Sequence, residues 1–262
     1  MISPNPSSGV EFVKDGHVAR VTLDNPKALN AITPQMDDAL FAAWNDINAD
    51  PDVWVAILSA AGEKAFCAGA DVSGGTDRDG RMALGGGLTG VGGPLLSLRK
   101  PLIAAVQGYA VGGGCELAMC ADIIVAADNA QFGIPETKVG IIGEAGIMHR
   151  AIRQLPHHVA LAMVLTGERL PAAKAEQYGL VNEVVPYTGL AATADEWAAK
   201  ITAGSPLAVQ AAKDAALSRL GWPLEVALAT RYEPIEAYAS SKDRLEGRAA
   251  FAEKRKPQWE GR

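Results

Sequence analysis

The stretch GYAVGGGCELAMCAD, Gly108 to Asp122, sets three glycines in a row ahead of a cysteine, a glutamate and an apolar run. Glycine is a poor helix former, so Gly112, Gly113 and Gly114 at the start of a helix need a reason. A tight turn is one. Close approach of a ligand is another, because the first turn of a helix leaves backbone N–H groups without internal partners. Those groups also lie at the positive end of the helix dipole. An oxygen that becomes negative during a reaction suits that place, and one such donor is worth about 2.7–4 kcal/mol of transition-state stabilisation. A glycine triplet alone marks a turn more often than a site, so the flanking sequence decides.

Before the triplet stands LIAAVQG and after it DIIVAAD, two short continuous apolar runs of the kind found in strands covered on both faces. Strand, glycine loop, helix and strand in succession make an α/β arrangement. The pattern has a partner upstream, where VWVAILSA from Val53 runs into FCAGAD, a second glycine loop with free N–H groups around Ala68 to Asp71. Two converging N–H groups make an oxyanion hole. Further upstream, VEFVKDGHVARVTL reads as a hairpin about Asp15-Gly16, and Thr33-Pro34 reads as the capped start of a helix that ends at Asp50-Pro51. Residues 74–93 are rich in glycine and read as a loop. KAEQYGLVNEVVP reads as a helix ending at Gly179, then a strand. From about Asp195 everything reads as helix. The expected division is therefore a core over 1–195 and a helical region over 196–262.

At 262 residues the chain buries a full core as one large domain with an appendage. A net charge of −6 argues against nucleic acid as the main partner, but leaves room for a small anion held by local lysines and backbone donors. No apolar run is long enough for a membrane span, and the N-terminal MISPNPSSGV has no signal-peptide character. Three cysteines without a CxxC spacing give neither a disulfide framework nor a zinc site, so a reducing cytoplasm is expected. Cys115 and Cys120 read as small buried fillers, and no histidine spacing marks a metal site.

NPKALNAI, AFCAGAD, KPLIAAVQGYAVGGGCELAMCADIIVAADNAQFGIPE, LTGERL, AEQYGLVNEVVP and EGRAAFAEKRKPQW occur in that order along nearly the whole chain. In this ordered set the sequence resembles the crotonase (enoyl-CoA hydratase/isomerase) superfamily. The resemblance implies an α/β spiral of repeated ββα units, followed by C-terminal helices that assemble trimers or dimers of trimers. It implies a thioester carbonyl held between the N–H groups of Ala70 and Gly113. It implies two catalytic carboxylates, Glu116 and Glu136, twenty residues apart as in hydratases. Hydration needs one carboxylate to take a proton from water and another to deliver one to C2. The expectation gives Glu116 the water and Glu136 the proton for C2. Coenzyme A, a part of the substrate rather than a separate cofactor, is expected along Lys27, Ala28 and Leu29, along Ala68, Asp71 and Val72, beside Gly114, and at Phe251 and Lys254 of this or a neighbouring subunit.

One stretch departs from the pattern. Where family hydratases carry G-x-x-P-G-A-G-G, this chain reads GIIGEAGI, so Gly143 replaces the proline, Glu144 a glycine and Ile147 the last glycine. Glu144 is either a third carboxylate that narrows the acyl end or a solvated helix-start residue. The leading expectation is an enoyl-CoA hydratase. The rivals are another acyl-CoA enzyme of the superfamily, an isomerase or a carnitinyl-CoA-type dehydratase, and a scaffold that binds CoA or RNA without turnover.

Overall fold

The computed structural model describes residues 8–71, 91 and 96–262. Val72 and most of the glycine-rich stretch 74–93 lie outside the described residues. Asp15-Gly16 turns the chain between β1 (Val10–Asp15) and β2 (Val18–Leu23), which pair antiparallel with Asp15 opposite Val18. Thr33 caps α1 (Pro34–Ala49): its Oγ1 accepts from the Met36 N–H at 3.2 Å, and Pro34 fills the first helical position. The helix stops at Asp50.

The strands that follow come in pairs. These are β3 (Val55–Ala60) with β4 (Ala65–Cys67), β5 (Leu102–Val106) with β6 (Tyr109–Val111), and β7 (Ile123–Ala127) with β8 (Gln131–Gly133). The first strand of each pair joins one sheet and the second joins another. Among the described residues the larger sheet has the order β1-β2-β3-β5-β7-β10 and the smaller β4-β6-β8-β9. The helix α2 (Gly113–Ala118) follows the second pair, and α3 (Ile147–Gln154) and α4 (His157–Thr166) follow the third. This is the expected ββα spiral. Next come β9 (Arg169–Pro171), α5 (Ala172–Gln177) and β10 (Glu183–Val185), with Gly179 between helix and strand at a φ of 80°.

The unbroken apolar runs are explained by cover on both faces. Ile57, Ile103, Ala105, Val125 and Ala127 pack on Leu190, Ala194 and Ala198 of α6 (Leu190–Thr202). The alternate residues Leu58, Leu102, Ala104, Val106 and Ala126 face the other core with Trp44, Phe66 and Phe132. The expected boundary at 195/196 falls inside α6, a helix that packs on β3, β5 and β7.

Beyond α6 lie α7 (Pro206–Leu217), α8 (Leu224–Ala229), α9 (Glu233–Ala239) and α10 (Lys242–Glu253). The run PLEVALATRYEPIEAYAS, expected as one helix, is two: Thr230 leaves helical geometry and Pro234 opens α9. Proline has no N–H to donate and fits only a first turn, so it enforces the break. The last residues are not helical. They fold back onto α10, where the buried Asp243 accepts from Ser205 Oγ at 2.9 Å and from the Glu260 N–H at 2.8 Å. No helix among the described residues is long and apolar enough to cross a membrane.

Candidate active site

Two loops at the carboxyl ends of parallel strands meet over the small sheet. One follows β4 and the other follows β6, and the two strands pair with Ala65 opposite Tyr109 and Cys67 opposite Ala110. The second loop turns at Gly112, whose φ of 56° and ψ of −129° lie outside the regions open to other residues. The helix then begins at Gly113, two residues earlier than expected. Its first turn is pressed onto β4, so that a Cβ on Gly114 would stand 2.0 Å from the Cys67 carbonyl oxygen. The glycine triplet therefore serves both readings at once, a tight turn and a close approach. Gly69 closes the gap from the other side: a Cβ there would lie 3.4 Å from the Gly113 nitrogen. Neither the Ala70 nor the Gly113 N–H donates to a backbone carbonyl among the described residues. They are two donors on adjoining loops, without a backbone acceptor among the described residues.

The strand β8 pairs in parallel with β6, placing Val111 opposite Gly133. Glu116 lies five residues beyond the first and Glu136 three beyond the second. The two parallel strands end at the same level, and this is why two glutamates twenty residues apart in sequence enter one site. Glu116, on α2, is 4% exposed, and Glu136, opening a 3-10 turn over Glu136–Val139, is 8% exposed. Glu116 Oε1 accepts from the Ile147 N–H at 2.9 Å. Glu136 Oε1 lies against Gly112 and Gly143, at 3.4 and 3.3 Å from the places where their Cβ atoms would be. Its Oε2 is buried without a hydrogen-bond partner among the described residues.

Burial raises the pKa of both carboxyls. For Glu116 desolvation is the main cause and the nearby Glu136 charge adds to it. The Ile147 N–H and the Arg150 guanidinium oppose them, and the group settles at about 7. For Glu136 desolvation again dominates, with its own backbone N–H opposing. Cys67 and Cys115 beside the site have thiols pushed up by burial, Cys67 to about 12, so neither is a poised nucleophile. No cluster of metal-ligating side chains occurs among the described residues.

The expected CoA contacts divide into two groups. Lys27 and Ala28 form a short 3-10 turn, Leu29 follows with φ 53°, and all three are exposed. The Leu29 carbonyl accepts from the Ala68 N–H at 3.0 Å, and Ile32 bridges Ala70, so this turn runs beside Ala68–Asp71 and leads to the Ala70 N–H. Asn30 locks the turn from beneath: its side-chain NH₂ donates to the Ala61 and Ala65 carbonyls. No contact among the described residues brings Phe251 or Lys254 to this turn. Both are exposed, Phe251 by 88%, near the end of α10, where Lys254 caps the helix in a left-handed conformation.

Glu144 is exposed in the turn before α3, the setting of the solvated alternative. We expect Glu144→Gly to leave the dependence of kcat/KM on acyl length unchanged within about twofold, as for surface changes generally. A broadened chain-length profile would return Glu144 to the pocket. The contribution of Ile147 was not visible in sequence, because a backbone N–H acting on a residue 31 positions away leaves no trace in residue types.

Two buried carboxyls of raised pKa beside two adjoining glycine loops form a site suited to acid–base chemistry. The family model for enoyl-CoA hydratase/isomerase matches residues 14–262. The chain belongs to that family, the crotonase superfamily. Among similar proteins are the (E)-benzylidenesuccinyl-CoA hydratase of Thauera aromatica, 38% identical over 94% of this chain and 96% of that one, and the carnitinyl-CoA dehydratase of Salmonella typhi, 40% identical over 98% and 100%. A solved structure from Novosphingobium aromaticivorans DSM 12444, provisionally described as a short chain enoyl-CoA hydratase, is 63% identical with a TM-score of 0.90, over 98% of this chain and 99% of that one. The enoyl-CoA hydratase of Mycobacterium tuberculosis H37Rv is 36% identical, also with a TM-score of 0.90, over 98% and 100%.

Proposed function

We propose that the protein adds water reversibly across the double bond of a 2-enoyl-CoA thioester. The observation that carries this reading is the pair of buried carboxyls, Glu116 and Glu136, each with a raised pKa, at the carboxyl ends of neighbouring strands. The thioester carbonyl takes the Ala70 and Gly113 N–H groups. As the enolate forms, its oxygen gains charge and the two donors stabilise it. Glu116, ionised above about pH 7, takes a proton from water. The hydroxyl joins C3. Glu136, whose neutral form burial favours, gives its proton to C2. One O–H bond of water and the C2–C3 π bond break, one C–O and one C–H bond form, and a proton passes from Glu116 back to Glu136 to reset the site. Read backwards, the steps are a dehydration.

Lys27 and the Ala68–Asp71 backbone are assigned to the anionic CoA, with Val72, Gly114, Phe251 and Lys254 as further contacts. The similarity to hydratases and dehydratases named for an aryl-substituted and a carnitine-derived acyl group points to acyl ends other than simple straight chains. A panel of 2-enoyl-CoA thioesters with straight, branched, aryl and polar acyl groups tests the reading through loss of the conjugated-thioester absorbance. One member is expected to be consumed at several turnovers per second or more, in the usual range for enzymes. No turnover on any member contradicts the reading.

The pKa of Glu116 carries a second test that does not depend on the substrate. Its folded pKa lies above the ordinary 4.5 at about 7. Between those values this group binds more proton in the folded protein than in the unfolded one, so its contribution to stability is greatest below about pH 4.5 and falls as pH rises to about 7. The loss attributable to this group is on the order of 3 kcal/mol. Urea unfolding across that range is expected to show a smaller fall for Glu116→Gln than for wild type. Equal slopes contradict the raised pKa.

Self-association belongs to the same proposal. Leu217, Leu220, Trp222, Leu224 and Leu228, on and between α7 and α8, are all at least half exposed, which is more apolar surface than a lone chain usually presents. Light scattering at micromolar concentration is expected to give a trimer or hexamer. A monomer contradicts it.

A further inference from the structure

Ile147 opens α3 and is wholly buried. Its N–H holds Glu116 Oε1 at 2.9 Å. Its side chain packs into the space at Gly143. A Cβ on Gly143 would stand 2.1 Å from Ile147 Cγ2 and 3.3 Å from Glu136 Oε1, so the Ile147 methyl fills the space that a side chain at 143 would take, beside the second carboxyl. Gly143 and Ile147 are thus one packing unit, a vacancy and its filler: the Ile147 N–H meets Glu116, and the vacancy lies beside Glu136. The turn between them is braced by Arg150, whose guanidinium lies over Gly146 and donates to the Ala145 carbonyl at 3.2 Å.

We propose that Ile147 is a positioning residue for the acid–base pair: its N–H fixes the water-side carboxylate while its buried side chain, seated in the space left by Gly143, walls the C2-side carboxyl from solvent. The role rests on the hydration reading above. An apolar wall at this place keeps water from solvating either carboxyl, and hydration by loose water is what would let both ionise together. The groups acting on Glu116 from the packed elements are Glu136 on the 3-10 turn and Arg150 on α3. His149 and Arg153 on α3 are exposed, and Cys67 and Cys115 stay neutral.

The test uses Ile147→Ala, Ile147→Val, Gly143→Ala and the double variant Ile147→Ala/Gly143→Ala, in the full chain. Ile147→Ala is expected to lower kcat by about tenfold or more through lost positioning, with KM for the enoyl-CoA nearly unchanged. The acidic limb of its kcat profile should move to lower pH, because admitted water favours the ionised carboxylate. Ile147→Val should restore most of the rate and the limb. Thermal unfolding reads the packing without any substrate: Gly143→Ala alone should lower Tm clearly, and should lower it much less in the Ile147→Ala background. Additive Tm changes overturn the packing unit. A kcat loss matched by KM, or an unmoved acidic limb in Ile147→Ala, overturns the positioning role. If wild type turns over no enoyl-CoA, it is the hydration reading that fails, and the Tm cycle still decides whether Gly143 and Ile147 form one unit.

Discussion

Glu116→Gln and Glu136→Gln each lower kcat on the best 2-enoyl-CoA by at least about 10²-fold and leave binding of the CoA thioester nearly intact. That is a loss of about 2.7 kcal/mol in transition-state stabilisation. Glutamine keeps the shape of the side chain but neither takes nor gives a proton. At position 116 its amide oxygen still accepts from the Ile147 N–H, so the bond that seats the side chain survives. At position 136 it replaces a carboxyl that burial already disfavours in its charged form. Both variants should therefore fold, and stability at neutral pH should not fall. The two losses should not multiply in the double variant, because each group is useless without the other. A single variant that keeps the wild-type rate removes that glutamate from the chemistry. A loss confined to KM makes it a binding group instead.

Gly114→Ala is expected to cost about 3 kcal/mol of stability, at the upper end for overpacking, because the new methyl would stand 2.0 Å from the Cys67 carbonyl oxygen. That contact is with backbone, so no side-chain rotation relieves it. Relief requires α2 to move off β4, and that movement carries the Gly113 N–H away from the Ala70 loop. Stability and turnover should fall together. Gly221→Ala is the control, since nothing lies within 4 Å of its Cβ and its φ is not positive. Urea denaturation of the three proteins checks this. If Gly114→Ala unfolds at the same midpoint as Gly221→Ala, the helix is not pressed onto the strand as described.

These two expectations rest on residues that sequence reading reached unaided or by family resemblance. The hairpin at Asp15-Gly16 and the cap at Thr33 are local, set by turn and capping chemistry within four residues, and both occur where expected. The buried strands were legible as unbroken apolar runs. The pairing of Glu116 with Glu136 was legible through the ordered motifs, and its cause, the Val111–Gly133 register, is a property of the sheet. What was not legible depends on contacts across the fold. The N–H of Ile147 on Glu116, the fit of Ile147 into the space at Gly143 and the Arg150 brace all depend on how α3 settles on α2. The two readings of Glu144 stayed open for the same reason: its exposure is set by a turn that residue type alone does not specify. The break at Thr230 was marked only by Pro234, four residues later, inside an otherwise helical composition.

The central claim is that this pair of carboxyls adds the elements of water to an enoyl thioester, rather than moving its double bond. Turnover of the preferred 2-enoyl-CoA in ¹⁸O-labelled heavy water, read by mass spectrometry, decides between them. The account predicts a product carrying one ¹⁸O at C3 and one deuterium at C2, with neither label entering in Glu116→Gln or Glu136→Gln. Deuterium in the acyl chain without ¹⁸O, with the double bond shifted, would contradict it.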